Sequence, residues 1–366
     1  MDQRNERMRA VGKTPTVSTR VPKRWRWRFA LFGASILLAV LLAEVSVRVL
    51  HLGPTVYIPR RFEPAGGVPF TTLIGDTPIY QPNTTFSSVY DPAGDLRGYF
   101  GADGRVAYHI NRFGMRGPEV PLAKEAGTFR IVCLGDSVTF GEGVHDADTY
   151  PARLADLLAR SDGARRVDVV NMGVQAYGTK EAVALYLLRG RQFHPDVVTL
   201  GFVLNDATDF AETIRQNEAH TKDITLSPIG RVSRLWGTFE RNRLARRMQS
   251  EFFETTRRSF QSEKWNECRD LIDGMAQLSR EDRFRFVVVI FPILWGLDRD
   301  YPFEDLHALV ADACHRAGCE VVDLMDVYGG CQASSLWVHP TDHHPNELAH
   351  RLAAERVAQF LTAKQH

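Results

Sequence analysis

Residues 130–144 read RIVCLGDSVTFGEGV, and this stretch determines how the rest of the chain is interpreted. A short apolar run rich in β-branched residues, 131–134, stops at a Gly-Asp-Ser turn that ends with Ser137. A serine between a buried strand and a helix is held rigidly, and its own N–H can face a substrate oxygen. The stretch therefore predicts a strand that presents Ser137 as a nucleophile, with a plain helix cap as the alternative.

Downstream of Ser137, apolar runs of strand length alternate with segments of helical period. We expect strands at 167–171, 196–204, 284–291 and 320–324, and helices at 151–160, 179–190, 306–317 and from about 346. This alternation predicts an α/β fold, a three-layer sandwich around a central parallel sheet.

Two further residues follow predicted strands in the way that Ser137 does. Gly173 comes after the second strand, and Asn205 comes after the third. Sites in open parallel sheets form at the carboxyl ends of the strands, so the three residues should lie at one edge. The backbone N–H groups of Ser137 and Gly173 and the side-chain amide of Asn205 would form an oxyanion hole. Taken singly, a turn glycine and a cap asparagine are the simpler alternatives.

A serine nucleophile needs a base, and the base needs a third group that fixes its tautomer. Residues 339–346 read HPTDHHPN and contain both. We predict His344 as the general base and Asp342 as the acid that orients it, with the adjacent His343 as a competing base. A metal site of Asp342, His343, His344 and His350 is disfavoured for two reasons. The neighbouring His343 and His344 point in different directions, and His344 and His350, six residues apart, do not share one face of a helix. We therefore predict no metal and no cofactor.

The order of these motifs resembles that of the SGNH (GDSL-type) hydrolases, in which the serine of Gly-Asp-Ser is the nucleophile. The resemblance implies a flavodoxin-like fold and ester hydrolysis through an acyl-enzyme on Ser137. Two positions depart from the family pattern: Thr341 stands where the commoner spacing has the acid, and Val203 stands where a glycine usually precedes the asparagine. Residues 109–119 are similar to a segment of membrane-anchored bacterial members. Arg112 or Arg116 in it could reach an anionic group, but we expect them to be solvated structural arginines.

The N-terminus carries a basic tail followed by an apolar segment. Residues 1–28 contain nine Lys or Arg and two acidic residues, and the apolar residues 29–47 follow directly. As a helix this segment would span roughly 28 Å, enough for the hydrocarbon core of a bilayer. The positive-inside rule then places the tail in the cytoplasm and exports the chain beyond about residue 50. We predict an uncleaved signal anchor over 29–50, with a cleaved signal peptide and a buried core helix as alternatives.

The remaining chain divides into a small β-rich extension, 51–127, and a catalytic domain, 128–366. Within the domain the alternation stops at about 207–263, an arginine-rich helical insertion. It forms a lid or wall over the site, a packed surface helix, or a docking surface on membrane or on an anionic glycan. Of the five cysteines, Cys133 lies in a predicted strand, while Cys314, Cys319 and Cys331 could supply one disulfide. The net charge of +1 with a basic tail does not indicate a nucleic-acid partner.

Together these features predict a membrane-anchored, extracytoplasmic serine esterase acting on O-acyl esters, with O-acetyl groups on glycans as the expected case. An alternative is an O-acetyltransferase that hands the acyl group to a polysaccharide hydroxyl. A second alternative is a non-catalytic glycan-binding or scaffold protein on the same fold, which would have no need of an activated base. The expected partners are a small-molecule or glycan ester and the membrane.

Overall fold

The computed structural model describes residues 23–50, 60–63, 68–72, 77–161, 166–207, 227–297 and 300–363. The chain forms two compact units. The small unit comprises the described parts of Met1–Pro54 and Leu226–Asn242, and the large unit those of Thr55–Thr225 and Arg243–His366. Most of the predicted basic tail and the first part of the predicted insertion, residues 208–226, lie outside the described residues.

The strands of the large unit are β1 (Arg61–Glu63), β2 (Phe70–Thr72), β3 (Pro78–Tyr80), β4 (Thr84–Val89), β5 (Arg105–Ile110), β6 (Phe129–Gly135), β7 (Val167–Gly173), β8 (Val197–Val203), β9 (Arg285–Phe291), β10 (Glu320–Asp323), β11 (Trp337–His339) and β12 (Asp342–Pro345). The helices of the described chain are α1 (Lys23–Val49), α2 (Ser137–Phe140), α3 (Tyr150–Ser161), α4 (Thr179–Leu188), α5 (Pro228–Val232), α6 (Arg234–Ser259), α7 (Glu263–Asp282), α8 (Glu304–Ala317), α9 (Met325–Tyr328) and α10 (Glu347–Ala363).

A five-stranded parallel sheet, in the order β10-β9-β8-β6-β7, forms the centre of the large unit. Every residue of β6 and β8 is buried, as expected of strands covered on both faces. Helix α3 packs against α10, and α7 packs against α4 and α8. The predicted α/β sandwich with a central parallel sheet is confirmed, and the register sets Gly135 opposite both Gly173 and Gly201.

The β-rich extension is built from two small antiparallel sheets, β1-β4-β5 and β2-β3. Its buried rings Tyr80, Phe86 and Tyr108 surround Phe140, with ring centroids 5.0, 6.1 and 5.1 Å away. Phe140 is the last residue of α2, the helical turn that begins at Ser137. The extension is therefore packed directly behind the candidate nucleophile.

Helix α1 is the main element of the small unit. Residues Arg24–Val49 are long and apolar enough to cross a membrane by length and composition, with a mean hydropathy of 2.3 over the most apolar window. None of that window is buried within the structure. This exposure does not fit the alternative of a buried core helix.

All five cysteines are free thiols. Cys133 is buried in β6, as expected, and burial raises its pKa to about 12. Cys314 and Cys319 are also buried but unbridged, and Cys331 is half-buried. The disulfide considered among these last three is not formed.

Candidate active site

Ser137 sits at a tight junction between β6 and α2. Gly135 has φ 149°, and a Cβ on it would lie 2.2 Å from Thr139 Oγ1, so the junction requires glycine. Asp136 caps α2 by accepting the N–H of Val138 at 2.9 Å. Ser137 is thus the first residue of the helical turn, where a backbone N–H has no partner within the helix.

Ser137, His344 and Asp342 form a continuous hydrogen-bonded chain. Ser137 Oγ lies 2.8 Å from His344 Nε2, and His344 Nδ1 lies 2.5 Å from Asp342 Oδ1. Asp342 and His344 belong to strand β12, where residues two apart share a face. The extended backbone explains why an acid two residues before the histidine can reach it. Thr341 stands where the commoner family pattern has the acid.

His343 stands between Asp342 and His344 on β12, and successive side chains of a strand point to opposite faces. Its ring packs between Trp337 and Trp295, at centroid distances of 4.1 and 5.0 Å. Burial lowers the pKa of His343 to about 4, so the ring is neutral at pH 7. The structure therefore does not support His343 as the competing base.

Asp342 is held through its second oxygen by two residues of the extension. Its Oδ2 accepts hydrogen bonds from Arg60 and from the Tyr90 hydroxyl, both at 2.9 Å. Burial raises the pKa of Asp342, but the charges of His344 and Arg60 outweigh it and hold that pKa well below its usual range. For His344, burial lowers the pKa, but the charge and the hydrogen bond of Asp342 raise it by more, so the net shift of the pKa is upward.

Arg60 also reaches a second buried carboxylate, that of Glu142. Its guanidinium lies 3.0 Å from Glu142 Oε1, which accepts the hydroxyls of Ser88 at 2.8 Å and Tyr108 at 2.9 Å as well. Glu142 is only 1% exposed and follows Ser137 by five residues. Sequence reasoning missed both Arg60 and Glu142, although the glutamate lies inside the Gly-Asp-Ser stretch.

Arg116 fixes the loop that follows the serine. It is buried and donates to the carbonyls of Phe140, Gly141 and Val144 at 2.5 to 2.7 Å, while its Nε lies 2.8 Å from Asp146. The expectation that it would be solvated is wrong, because its guanidinium is buried and donates to three backbone carbonyls at and just after the end of α2. Arg112, in contrast, is exposed, and it pairs with Glu119 at 3.2 Å.

The structure brings two of the three predicted oxyanion donors to one cavity. Ser137 and Asn205 line it, whereas Gly173 does not. The N–H of Gly173 donates to Asn171 Oδ1 at 3.0 Å, and a Cβ there would lie 2.1 Å from the backbone nitrogen of Phe140. The prediction for Gly173 is therefore wrong: this glycine lets α2 pack closely on β7.

Ala176 occupies the place that Gly173 was expected to take. It lines the cavity beside Ser137 and adopts a left-handed backbone, with φ 66°. Its N–H makes no hydrogen bond to any residue that the structure describes. A non-glycine residue in this conformation is strained by about 1 kcal/mol or more, and such strain concentrates at functional sites.

The cavity over Ser137 has a volume of about 390 Å³. Its wall is largely aromatic and aliphatic: Phe62, Val68, Phe70, Phe252, Ile293, Leu294 and Trp295. Phe252 belongs to α6, in the described part of the predicted insertion, and packs 6.1 Å from Trp295. The insertion thus both packs on the domain and supplies part of the wall.

The four residues considered as metal ligands do not converge. His343 packs between tryptophans, His344 contacts Ser137, and His350 Nδ1 accepts the N–H of Tyr150 at 3.1 Å. Across the described ranges, no three His, Cys, Asp or Glu side chains are grouped so that they could hold a metal ion.

Comparison with known proteins identifies the family of the chain. Residues 133–352 match the family model of the GDSL-like lipase/acylhydrolase family, and no curated protein matches the chain. Among solved structures, the chain is similar to TesA, with 14% identity, 64% of this chain and 98% of that chain covered, and a TM-score of 0.42. It is also similar to the acetyl xylan esterase AlAXEase, with 11% identity, coverage of 64% and 100%, and a TM-score of 0.41. A third is the psychrotrophic esterase EstA from Pseudoalteromonas sp., with 12% identity, coverage of 64% and 98%, and a TM-score of 0.40.

The matched residues contain the Gly-Asp-Ser turn, Asn205 and the Asp-His-His sequence of β12, and they span more than half of the chain. The chain therefore belongs to the GDSL-like lipase/acylhydrolase family and is an ester-hydrolysing enzyme.

Proposed function

We propose that the chain is a membrane-anchored serine esterase in which Ser137 forms the acyl-enzyme, His344 moves the proton and Asp342 orients His344. The observation that carries this proposal is the unbroken chain of hydrogen bonds from Ser137 Oγ through the imidazole to Asp342. A hydroxyl bonded to a base that is itself held by a carboxylate is the arrangement that activates a serine.

In the proposed reaction, Ser137 Oγ attacks the ester carbonyl while His344 Nε2 accepts the hydroxyl proton. The tetrahedral intermediate collapses, the alcohol leaves with the proton from His344, and the acyl group stays on the serine. Water then attacks the acyl-enzyme by the same route and releases the carboxylic acid. Asp342 stays ionised throughout, since its neighbours hold its pKa low, and it stabilises the imidazolium of both steps.

The negative oxygen of the intermediate needs donors aimed at it. We propose the backbone N–H of Ser137 and the side-chain amide of Asn205, with the N–H of Ala176 as the third donor. All three residues line the same cavity. Each such donor contributes on the order of 3 kcal/mol to the stability of the transition state.

We propose a neutral O-acyl ester as the substrate, with O-acetyl groups on a glycan as the expected case. Support comes from the lining of the cavity: Arg60 is neutralised by Asp342 and Glu142, and Asp136 caps α2. These residues therefore leave no unpaired positive charge that would attract an anionic substrate. Aromatic rings such as Trp295 and Phe252 offer flat apolar faces against which a sugar ring can pack.

We also propose that α1 is a signal anchor that keeps the N-terminus in the cytoplasm and the catalytic domain outside it. Its length and composition suit a bilayer span, and the basic residues lie on its N-terminal side. We retain the proposed domain limits as 1–28, 29–50, 51–127 and 128–366.

The test uses the full chain in detergent micelles, with p-nitrophenyl acetate and with an acetylated oligosaccharide. We expect Ser137→Ala and His344→Ala to abolish acetate release, while the exposed Ser334→Ala and His315→Ala retain it. Equal release by Ser137→Ala and the unmutated chain would contradict the esterase mechanism.

The same assay separates the alternatives. Acetyl transfer to an added oligosaccharide hydroxyl, in place of release as free acetate, would establish an O-acetyltransferase with the same nucleophile. Binding of the oligosaccharide without turnover, unchanged by Ser137→Ala, would instead establish a glycan-binding protein.

A further inference from the structure

The exposed apolar side chains of the described chain are unevenly distributed. Outside α1 and Leu50, which directly follows it, the large apolar residues that stand exposed are Leu96, Leu122, Leu187, Ile229, Val232, Trp236 and Phe239. The last four fall within eleven residues of the small unit and are between 45% and 76% exposed. Scattered single apolar residues are normal on a protein surface, whereas a cluster of this kind marks an interaction site.

These four residues, hereafter the apolar patch, lie in pairs on two consecutive helices. Ile229 and Val232 are three residues apart on α5, and Trp236 and Phe239 are three apart on α6. Residues three apart share a helical face, and the two rings of the second pair lie 5.4 Å from each other. The short helix α5 and the first turns of α6 therefore each present an apolar face.

The junction between these helices is tied to α1 through Glu44. The carboxylate of Glu44 accepts the Ser233 hydroxyl at 2.8 Å and the N–H groups of Arg234 and Leu235 at 2.9 Å each. Arg48 donates to Glu44 at 2.6 Å and to the carbonyl of Val232 at 2.6 Å. The acidic residue of the apolar helix is thus fully engaged by the start of α6 and by one arginine.

This tie fixes the depth of the junction along α1. Glu44 precedes the last residue of the helix, Val49, by five positions. At about 1.5 Å per residue, that is roughly one and a half turns inside the end of the helix. If α1 crosses a bilayer, a segment hydrogen-bonded at this level lies at the boundary between lipid headgroups and acyl chains.

The backbone of the junction is suited to such a place. The N–H of Ser233 donates to Ile229 O at 2.8 Å, that of Trp236 to Ser233 Oγ at 3.1 Å, and that of Gly237 to Ser233 O at 2.9 Å. Together with the two N–H groups held by Glu44, every backbone N–H from 233 to 237 has a hydrogen-bond partner. An irregular backbone at membrane depth requires this, because lipid offers no hydrogen bonds.

We infer that the apolar patch is a second membrane contact, in which α5 and the start of α6 lie in the interfacial layer of the bilayer that α1 crosses. The inference rests on the proposed anchor. A tryptophan and a phenylalanine are residue types typical of interfacial segments. The same stretch carries Arg231, Arg234 and Arg241 against one acid, Glu240, so its charge favours anionic headgroups.

The test places the full chain in nanodiscs of phosphatidylcholine with about one-third phosphatidylglycerol and measures tryptophan quenching by lipids brominated near the headgroup end of the acyl chains. The part of the fluorescence that is lost in Trp236→Phe comes from Trp236, and we expect these lipids to quench it at least twofold. The matched control is Trp265→Phe, because Trp265 is 6% exposed within the large unit and its signal should not change between lipids. Replacing phosphatidylglycerol by phosphatidylcholine should weaken the quenching of Trp236.

The outcomes separate this inference from the proposed anchor. Trp25 and Trp27 lie at the other end of α1, and their joint replacement by phenylalanine reports whether the helix is in the bilayer. Quenching of that pair with no quenching of Trp236 would overturn the membrane contact while leaving the anchor in place. Loss of quenching at both ends would overturn the anchor itself. If Trp236 is shielded from solvent only in discs that hold two copies of the chain, the apolar patch is a surface of self-association. That result would also contradict the inference.

Discussion

Arg60 Nη1 lies 2.9 Å from Asp342 Oδ2, which joins the β-rich extension to the acid of the C-terminal motif. Arg60 precedes the residues matched by the family model, which begin at 133. Tyr90, also in the extension, donates to the same oxygen. The carboxylate that orients His344 is therefore itself positioned from outside the matched domain.

Replacing Arg60 by glutamine should lower kcat/KM by about tenfold to a hundredfold, because a charge-assisted hydrogen bond is worth roughly 1.5–3 kcal/mol. The charge of Arg60 also holds down the pKa of His344. Without it that pKa rises, so the acid limb of the pH–rate profile should move to higher pH. The matched control, Arg60→Lys, keeps the charge and should keep most of the profile. A Gln variant with lower thermal stability but an unmoved profile would show that Arg60 is only structural.

The pH dependence of the unmutated enzyme should follow His344. Its pKa is raised above the ordinary value of 6.5, and only the neutral imidazole accepts the serine proton. Activity should fall as the pH drops through a value above 6.5. In Asp342→Asn the raising charge is gone, so the limb should move to lower pH, and the rate should fall by about 10³- to 10⁴-fold because the tautomer is no longer fixed. An Asn variant with the original limb would identify another group as the base.

Removing the side-chain amide of Asn205 tests the proposed oxyanion hole. Asn205→Ala should reduce kcat by about 10²- to 10³-fold with little change in KM, because the donor acts on charge that develops only in the transition state. Asn266→Ala, on the surface of α7, is the matched control and should be neutral. A change confined to KM would mean that Asn205 binds substrate and does not stabilise the intermediate.

Gly173 and Ala176 should respond in opposite ways to exchange. Gly173→Ala forces a Cβ against the backbone of Phe140 and should destabilise the fold by about 1–3 kcal/mol, measured by chemical unfolding. Ala176→Gly keeps the N–H and relieves the left-handed conformation, so activity should persist with stability changed by about 1 kcal/mol or less. A Gly173→Ala protein of unchanged stability that had lost activity would return Gly173 to the oxyanion hole.

Much of the proposed catalytic arrangement was predictable because it depends on local rules. A turn after a buried strand placed Ser137, and a parallel sheet carried Asn205 to the same edge. Asp342 and His344 needed only that their segment be extended, since alternate residues then share a face. These features follow from period and position along the chain.

The features that sequence reasoning missed depend on tertiary contacts. Gly173 was assigned wrongly because its N–H is taken by Asn171, two residues earlier, a bond that no periodicity reveals. Arg116 was expected in solvent, because the three carbonyls to which it donates lie 24 to 28 residues away in the sequence and no local pattern points to them. Arg60 stands in a stretch without any regular pattern, and its partner Asp342 is 282 residues distant. Such pairings become visible only when the fold brings them together.

In the proposed mechanism Ser137 is the nucleophile and His344 activates it. The most direct test of this mechanism is reaction of the full chain with a fluorophosphonate, followed by intact-mass measurement and peptide mapping. We expect one covalent adduct on Ser137, none in Ser137→Ala, and labelling slowed by at least about a hundredfold in His344→Ala. An adduct that persists in Ser137→Ala, or that forms at an unchanged rate without His344, would contradict this mechanism.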